Sequence, residues 1–248
     1  MSNMLQEPFS DIVGSSSPVQ KTVRLLWKLA DDAPNTIAGT KQSQSCASLI
    51  LVHLLGLMES AGLVNCNGLH SSALTLLRAI EDGTDCLAAV GISQEMAYKW
   101  QDGHLKASDA ARYWTQGKII NEKDSMANYR KEIRNGLNEY SHCTPKQTNW
   151  NIYLESIEHN KCVMKLNTKK MVINLNGYYI DRYLCIHVYE LVSIILSIYE
   201  DYLNENIEMK TELLKLQKDV SGIINEFLEF IGEEKLDISI VPELERLK

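Results

Sequence analysis

Four charged side chains on one short stretch, Arg78, Glu81, Asp82 and Asp85, are the first candidates for chemistry. Their spacing puts them on one face of an α-helix. The rest of that stretch, including Leu76, Leu77, Ala79, Ile80 and Leu87 to Val90, is apolar or small. Such a stripe has two readings. It is a solvated face with an Arg78–Asp82 ion pair, worth less than about 1 kcal/mol when exposed. Alternatively it lines a polar cleft, where an arginine steadies negative charge on phosphorus. Glu81 or Asp82 would then orient an arginine or a histidine.

A second group, Arg130, Arg134, Asn138, Tyr140 and His142, falls on one predicted helix. Arg134, Asn138 and His142 stand four apart and so follow a shallow spiral on one side. His142 lies near the helix C-terminus, where the dipole favours the imidazolium. It either moves protons near neutral pH or caps the helix. Asn138 either joins the site or makes a packing hydrogen bond. No second histidine or carboxylate accompanies Cys143 at metal-ligand spacing, so neither a metal nor a cofactor is expected. The six cysteines, Cys46, Cys66, Cys86, Cys143, Cys162 and Cys185, include no CxxC pair. That excludes common zinc and redox motifs and predicts thiols kept in a reducing cytoplasm. Gly-rich phosphate loops, HExxH and GxSxG are absent from the sequence.

These residues need helices to position them. Residues 1–17 read as a loose arm, and a short helix is predicted at about 18–30, with a break over Asp31 to Gly39. Helical spacing of Cys46, Leu49, Ile50, Leu54, Leu57 and Met58 predicts a helix over about 43–62. Ala73, Leu77, Ile80, Thr84 and Leu87 predict another over about 69–91. A short connection makes the two antiparallel. Ser93 is an expected N-cap for Gln94 to Gln101, and Ser108 for a helix through Trp114. A helix over about 124–142 stops before Pro145. Runs 162–167 and 171–176, joined by Thr168 to Lys170, predict a β-hairpin. Long helices follow at about 179–204, with Ile180, Leu184, His187, Leu191, Ile195, Ile198 and Tyr202 on one face, and at about 207–231, with Leu213, Leu216, Val220, Ile224, Phe227 and Ile231 as its apolar face, then an acidic tail over 233–248. The fold class is mostly α, a helical bundle with one inserted β-hairpin, in a single domain over 18–232. The last two helices are expected to pair between copies in a homodimer. Charged residues bracket the apolar run Leu191 to Ile198, which predicts a core helix and no membrane span.

Composition supports this reading. The chain has 248 residues, 45% hydrophobic and 23% charged. That is enough apolar material for a core and excludes wholesale disorder. The net charge is -7, yet residues 97–170 hold 13 basic and 8 acidic side chains, net +5. Overall acidity argues against sequence-independent binding to double-stranded DNA. The basic middle suits an RNA backbone, with Tyr140 or Trp150 for base stacking.

The run Ser72 to Glu81, with Tyr129-Arg130 and Leu137 to His142, resembles the HEPN superfamily of all-helical proteins, which includes toxins and abortive-infection proteins. The resemblance covers roughly 43–145. It implies metal-independent RNA cleavage in bacterial defence, by an arginine followed after four to six residues by a histidine. Here seven residues separate Arg134 from His142, about 12 Å of helical rise. Long side chains lean toward the N-terminus, so Arg134 points away from His142. Arg78, arriving from another helix, is the better-placed arginine. The expected function is therefore RNA cleavage by His142 with an arginine, or else a non-catalytic helical interaction protein.

Overall fold

The computed structural model describes residues 17–36, 42–116, 135, 152–158, 161–166 and 175–232, and among them the chain is mostly helical. Helix α1 spans Pro18–Thr36, α2 Gln42–Cys66, α3 His70–Ile92, α4 Gln94–Gln101 and α5 Ala107–Gln116. After the strands come α6 Leu175–Ile198, α7 Glu200–Glu205 and α8 Ile207–Ile231. Strands β1 Ile152–Glu158 and β2 Lys161–Leu166 pair antiparallel, with Ile152 opposite Leu166 and Glu158 opposite Lys161.

Local chemistry sets most helix ends. Pro18 opens α1, where its missing N–H costs nothing. The Ser17 hydroxyl accepts from the Gln20 amide at 3.1 Å. Gly68, at φ 74°, turns the chain from α2 into α3, a conformation glycine adopts without strain. The Ser93 side chain accepts from the Met96 amide at the start of α4. Gly232, also left-handed at φ 78°, ends α8.

Several expectations change. The hairpin over about 162–176 is not seen. The segment Lys161–Leu166 pairs instead with upstream Ile152–Glu158, and Leu175 already begins α6. Helix α1 continues through Asp31 to Thr36, where a break was expected. The predicted 179–204 helix starts earlier and divides at Tyr199 into α6 and α7. Ser108 lies inside the first turn of α5, not ahead of it. The arm up to residue 16, the helix predicted over 124–142 apart from the helical residue Asn135, and the tail over 233–248 lie outside the described residues.

Helix α3 holds the centre, packed against α2, α4, α5 and α6. Its stripe Ala73, Leu77, Ile80, Thr84 and Leu87 is fully buried. Helix α8 turns Leu213, Leu216, Val220, Ile224 and Phe227 inward and packs on α6 and α1. Helix α6 runs antiparallel to α2 and is tied to it at both ends. At one end the Gln44 side-chain amide donates to the Ile198 carbonyl at 3.0 Å, and the Tyr199 hydroxyl donates to the Gln44 carbonyl at 3.0 Å. At the other, the Asn65 side-chain amide donates to the Gly177 carbonyl at 2.9 Å, while its oxygen meets His70 Nδ1 at 2.8 Å. Among the described residues, α2 alone is long and apolar enough to cross a membrane, and half of the qualifying window is buried inside the protein.

Glycine governs how closely α6 approaches α3. A Cβ on Gly91 would run into the Ile198 side chain. Gly222 on α8, by contrast, has nothing within 4 Å of such a Cβ. Gly91→Val is therefore expected to lower the unfolding free energy by about 1–3 kcal/mol through overpacking. Gly222→Ala is expected to raise it by up to about 1 kcal/mol through helix propensity. Urea unfolding of both variants measures the contrast; equal effects would contradict the packing described.

Candidate active site between α3 and α6

Successive residues of an α-helix are turned about 100° apart. On α3 this sets Glu81 at one edge of the charged stripe, Asp82 at the other, and Arg78 and Asp85 between them. The stripe divides in the structure. Arg78 and Asp82 reach the rim: their side chains are 20% and 31% exposed, and Arg78 Nη1 lies 2.8 Å from Asp82 Oδ1. Glu81 and Asp85 are buried. A partly exposed ion pair and a polar interior therefore coexist on one helix, one turn apart.

Glu81 faces α6. His187 Nδ1 stands 3.7 Å from Glu81 Oε2 and 3.5 Å from Glu190 Oε2. All three side chains are buried. Further along α6, Asp181 and Arg182 are buried too, with Arg182 Nη2 3.8 Å from Asp181 Oδ2. The Arg182 guanidinium also lies 4.9 Å from the centre of the Tyr178 ring, within cation–π range. Removing charge from water costs several kcal/mol per ion, so opposite charges gather where such groups are buried.

The atoms Glu81, His187 and Glu190 offer as ligands lie within 4.8 Å of one another. An imidazole with two carboxylates is a donor set suited to zinc, manganese or iron. Without a metal, the His187 ring stands beside two buried carboxylates.

Of the residues singled out in the sequence, the structure brings Arg78 and Asp82 together at the rim and sends Glu81 inward. Arg134, Asn138 and His142, with Arg130 and Tyr140, lie outside the described residues. The imidazole that α3 meets among the described residues is His187. Sequence reasoning placed it in the apolar stripe of α6, where it is indeed buried, and assigned it no chemistry. The available signal was His187 and Glu190 at i, i+3 in the otherwise uncharged run Tyr183 to Ile198, a spacing that keeps both on one face. Comparison of the chain with protein-family models, with curated proteins and with solved structures finds no match.

The Cys66 and Cys86 thiols are poor nucleophiles. Cys46, Cys66, Cys86 and Cys185 form no disulfide. Burial, and then the Asp181 charge, push the Cys66 thiol up to about 11. Burial, and then Asp85, do the same to Cys86, also to about 11. A thiolate is needed for alkylation. Below pH 9 both cysteines are therefore expected to react with iodoacetamide roughly 100-fold more slowly than a thiol at 9.0, with rates rising up to about pH 11. Asp181→Asn removes a negative charge, lowers the Cys66 value and speeds Cys66 alone. Site-resolved mass spectrometry reads this, and alkylation as fast as that of free cysteine at pH 8 would contradict it.

Proposed function

We propose that the chain is an RNA-directed effector of the HEPN-like kind, with its catalytic arginine on α3. The observation that supports this reading best is Arg78 at the rim, held by Asp82 at 2.8 Å, one turn from the buried Glu81. A guanidinium carries five donors, and the Asp82 contact engages one nitrogen. A phosphate arriving at the rim would meet a cation whose orientation is already set. The net positive segment over 97–170 would draw the RNA backbone.

The reaction needs no outside nucleophile. The ribose 2′-hydroxyl attacks the adjacent phosphorus, its proton passes to a base, and the departing 5′-oxygen takes a proton from an acid. His142 is proposed for these proton transfers, with Arg134 and Asn138 on its helix as phosphate or ribose contacts. Arg78 would stabilise the additional negative charge on phosphorus. Glu81 and Asp82 act as positioning residues on α3. The protein is proposed to act in the cytoplasm, in bacterial defence, without a metal.

A second reading, a non-catalytic helical interaction protein, is favoured by the exposed apolar residues Leu49, Val52 and Leu63 on α2. One experiment separates the two. Wild-type protein, Arg78→Ala and His142→Ala are incubated with total RNA in the presence of a chelator, and their expression is scored for growth arrest. The effector reading expects cleavage and arrest by the wild type, and a loss of at least 100-fold in each variant. Equal RNA cleavage by all three would remove both residues from the mechanism. No cleavage by any would leave the interaction reading.

A further inference from the structure

We propose that Glu81, His187 and Glu190 bind one divalent first-row transition ion such as zinc, and that the ion fastens α3 to α6. The RNA step proposed above lies at the rim and takes no metal, so this inference does not rest on it.

Convergence is the first argument. His187 and Glu190 stand at i, i+3 on α6, Glu81 comes from α3, and the ligand atoms of all three lie within 4.8 Å of one another. Metal centres inside helical bundles are assembled in this way, from a histidine and a carboxylate at that spacing on one helix and a carboxylate from a facing one. No stretch of sequence contains the set, because Glu81 lies 106 positions from His187.

Distance is the second. His187 Nδ1 stands 3.5 Å from Glu190 Oε2 and 3.7 Å from Glu81 Oε2. An N–H···O hydrogen bond spans about 2.7–3.2 Å, so Nδ1 donates to neither carboxylate. Ligand atoms bound about 2.0–2.2 Å from a tetrahedral zinc stand about 3.3–3.6 Å from one another. The two contacts of the ring sit at or just above that edge, and beyond the reach of a hydrogen bond.

Burial is the third. All three side chains are buried. At a surface, water competes with carboxylates for a cation. In the interior that competition is weak, and the attraction between opposite charges is strong.

The donors also select the ion. Two carboxylates carry two negative charges, which one divalent ion balances, and a neutral imidazole binds through Nδ1 as well as through Nε2. Calcium and magnesium take oxygen ligands. Imidazole suits zinc and iron, whereas ions that demand thiolate find none in this set. Cys66 and Cys86 hold their protons up to about pH 11 and offer no competing thiolate near neutrality.

The test uses the full chain, freed of metal with a chelator and then given one ion at a time. Zinc is expected to bind at one equivalent per chain in titration calorimetry and to raise the midpoint of thermal unfolding; calcium and magnesium at the same concentration are not. Glu81→Gln, His187→Asn and Glu190→Gln are each expected to weaken zinc binding by more than about 100-fold, beyond what loss of an outer-shell partner costs. His53→Asn and His104→Asn, at exposed histidines, are expected to leave it unchanged. X-ray absorption of the wild-type zinc protein depends on no variant's folding. It is expected to show one imidazole nitrogen with oxygen donors at about 2.0–2.2 Å, and no sulfur. A wild type that takes up no zinc, whether the ion is added to the folded chain or during refolding from urea, overturns the proposal. So does binding that survives the three substitutions, or an absorption spectrum with sulfur or several imidazoles around the ion. Metal uptake is read without RNA, so a failed RNA assay leaves this result standing.

Discussion

Three ionisable groups from two helices meet where the protein excludes water: Glu81 of α3, and His187 and Glu190 of α6. Apolar packing alone leaves two long helices free to slide, because one leucine fits a hydrocarbon groove about as well as the next. Charge does not allow that freedom. Sliding α3 by one residue turns Glu81 through about 100° and takes it away from His187, stranding a carboxylate in the core. Breaking such a contact costs far more than its formation gains. The contact therefore sets which residues of α3 face α6 and, by default, which face outward.

Everything at the rim follows from that setting. With Glu81 committed to α6, Arg78 and Asp82 sit on the side of α3 that still reaches solvent, joined across one turn. Gly91 keeps α6 close at the far end of α3. The ties from Gln44 and Asn65 hold α6 against α2. Arg78 thus extends from a helix fixed on its other sides, the kind of mounting a preoriented phosphate contact requires.

Much of this was legible in the sequence, for a definite reason. Where a helix has one apolar side, as α3 and α8 do, the 3.6-residue period identifies the buried positions: Ala73, Leu77, Ile80 and Leu87 on one, Leu213, Val220 and Ile224 on the other. Where a helix is apolar all round, the period carries no such information. Leu49 of α2 was therefore expected inside and stands outside. The strand-like run over 171–176 loses its end to α6, whose long packed face outweighs local β preference. His187 was read as one more buried position because the partner that gives it meaning, Glu81, lies 106 positions away in the chain. One-dimensional spacing reveals faces of helices; it does not reveal which faces meet.

The most direct test of this account is a double-mutant cycle between Glu81 and His187, using Glu81→Gln, His187→Asn and the pair, with unfolding free energy measured in urea. Groups that set the register of α3 against α6 are expected to show a coupling energy of about 1–3 kcal/mol. Effects that add to within about 0.3 kcal/mol would mean that the two side chains do not sense one another, and that packing alone places the helix carrying Arg78.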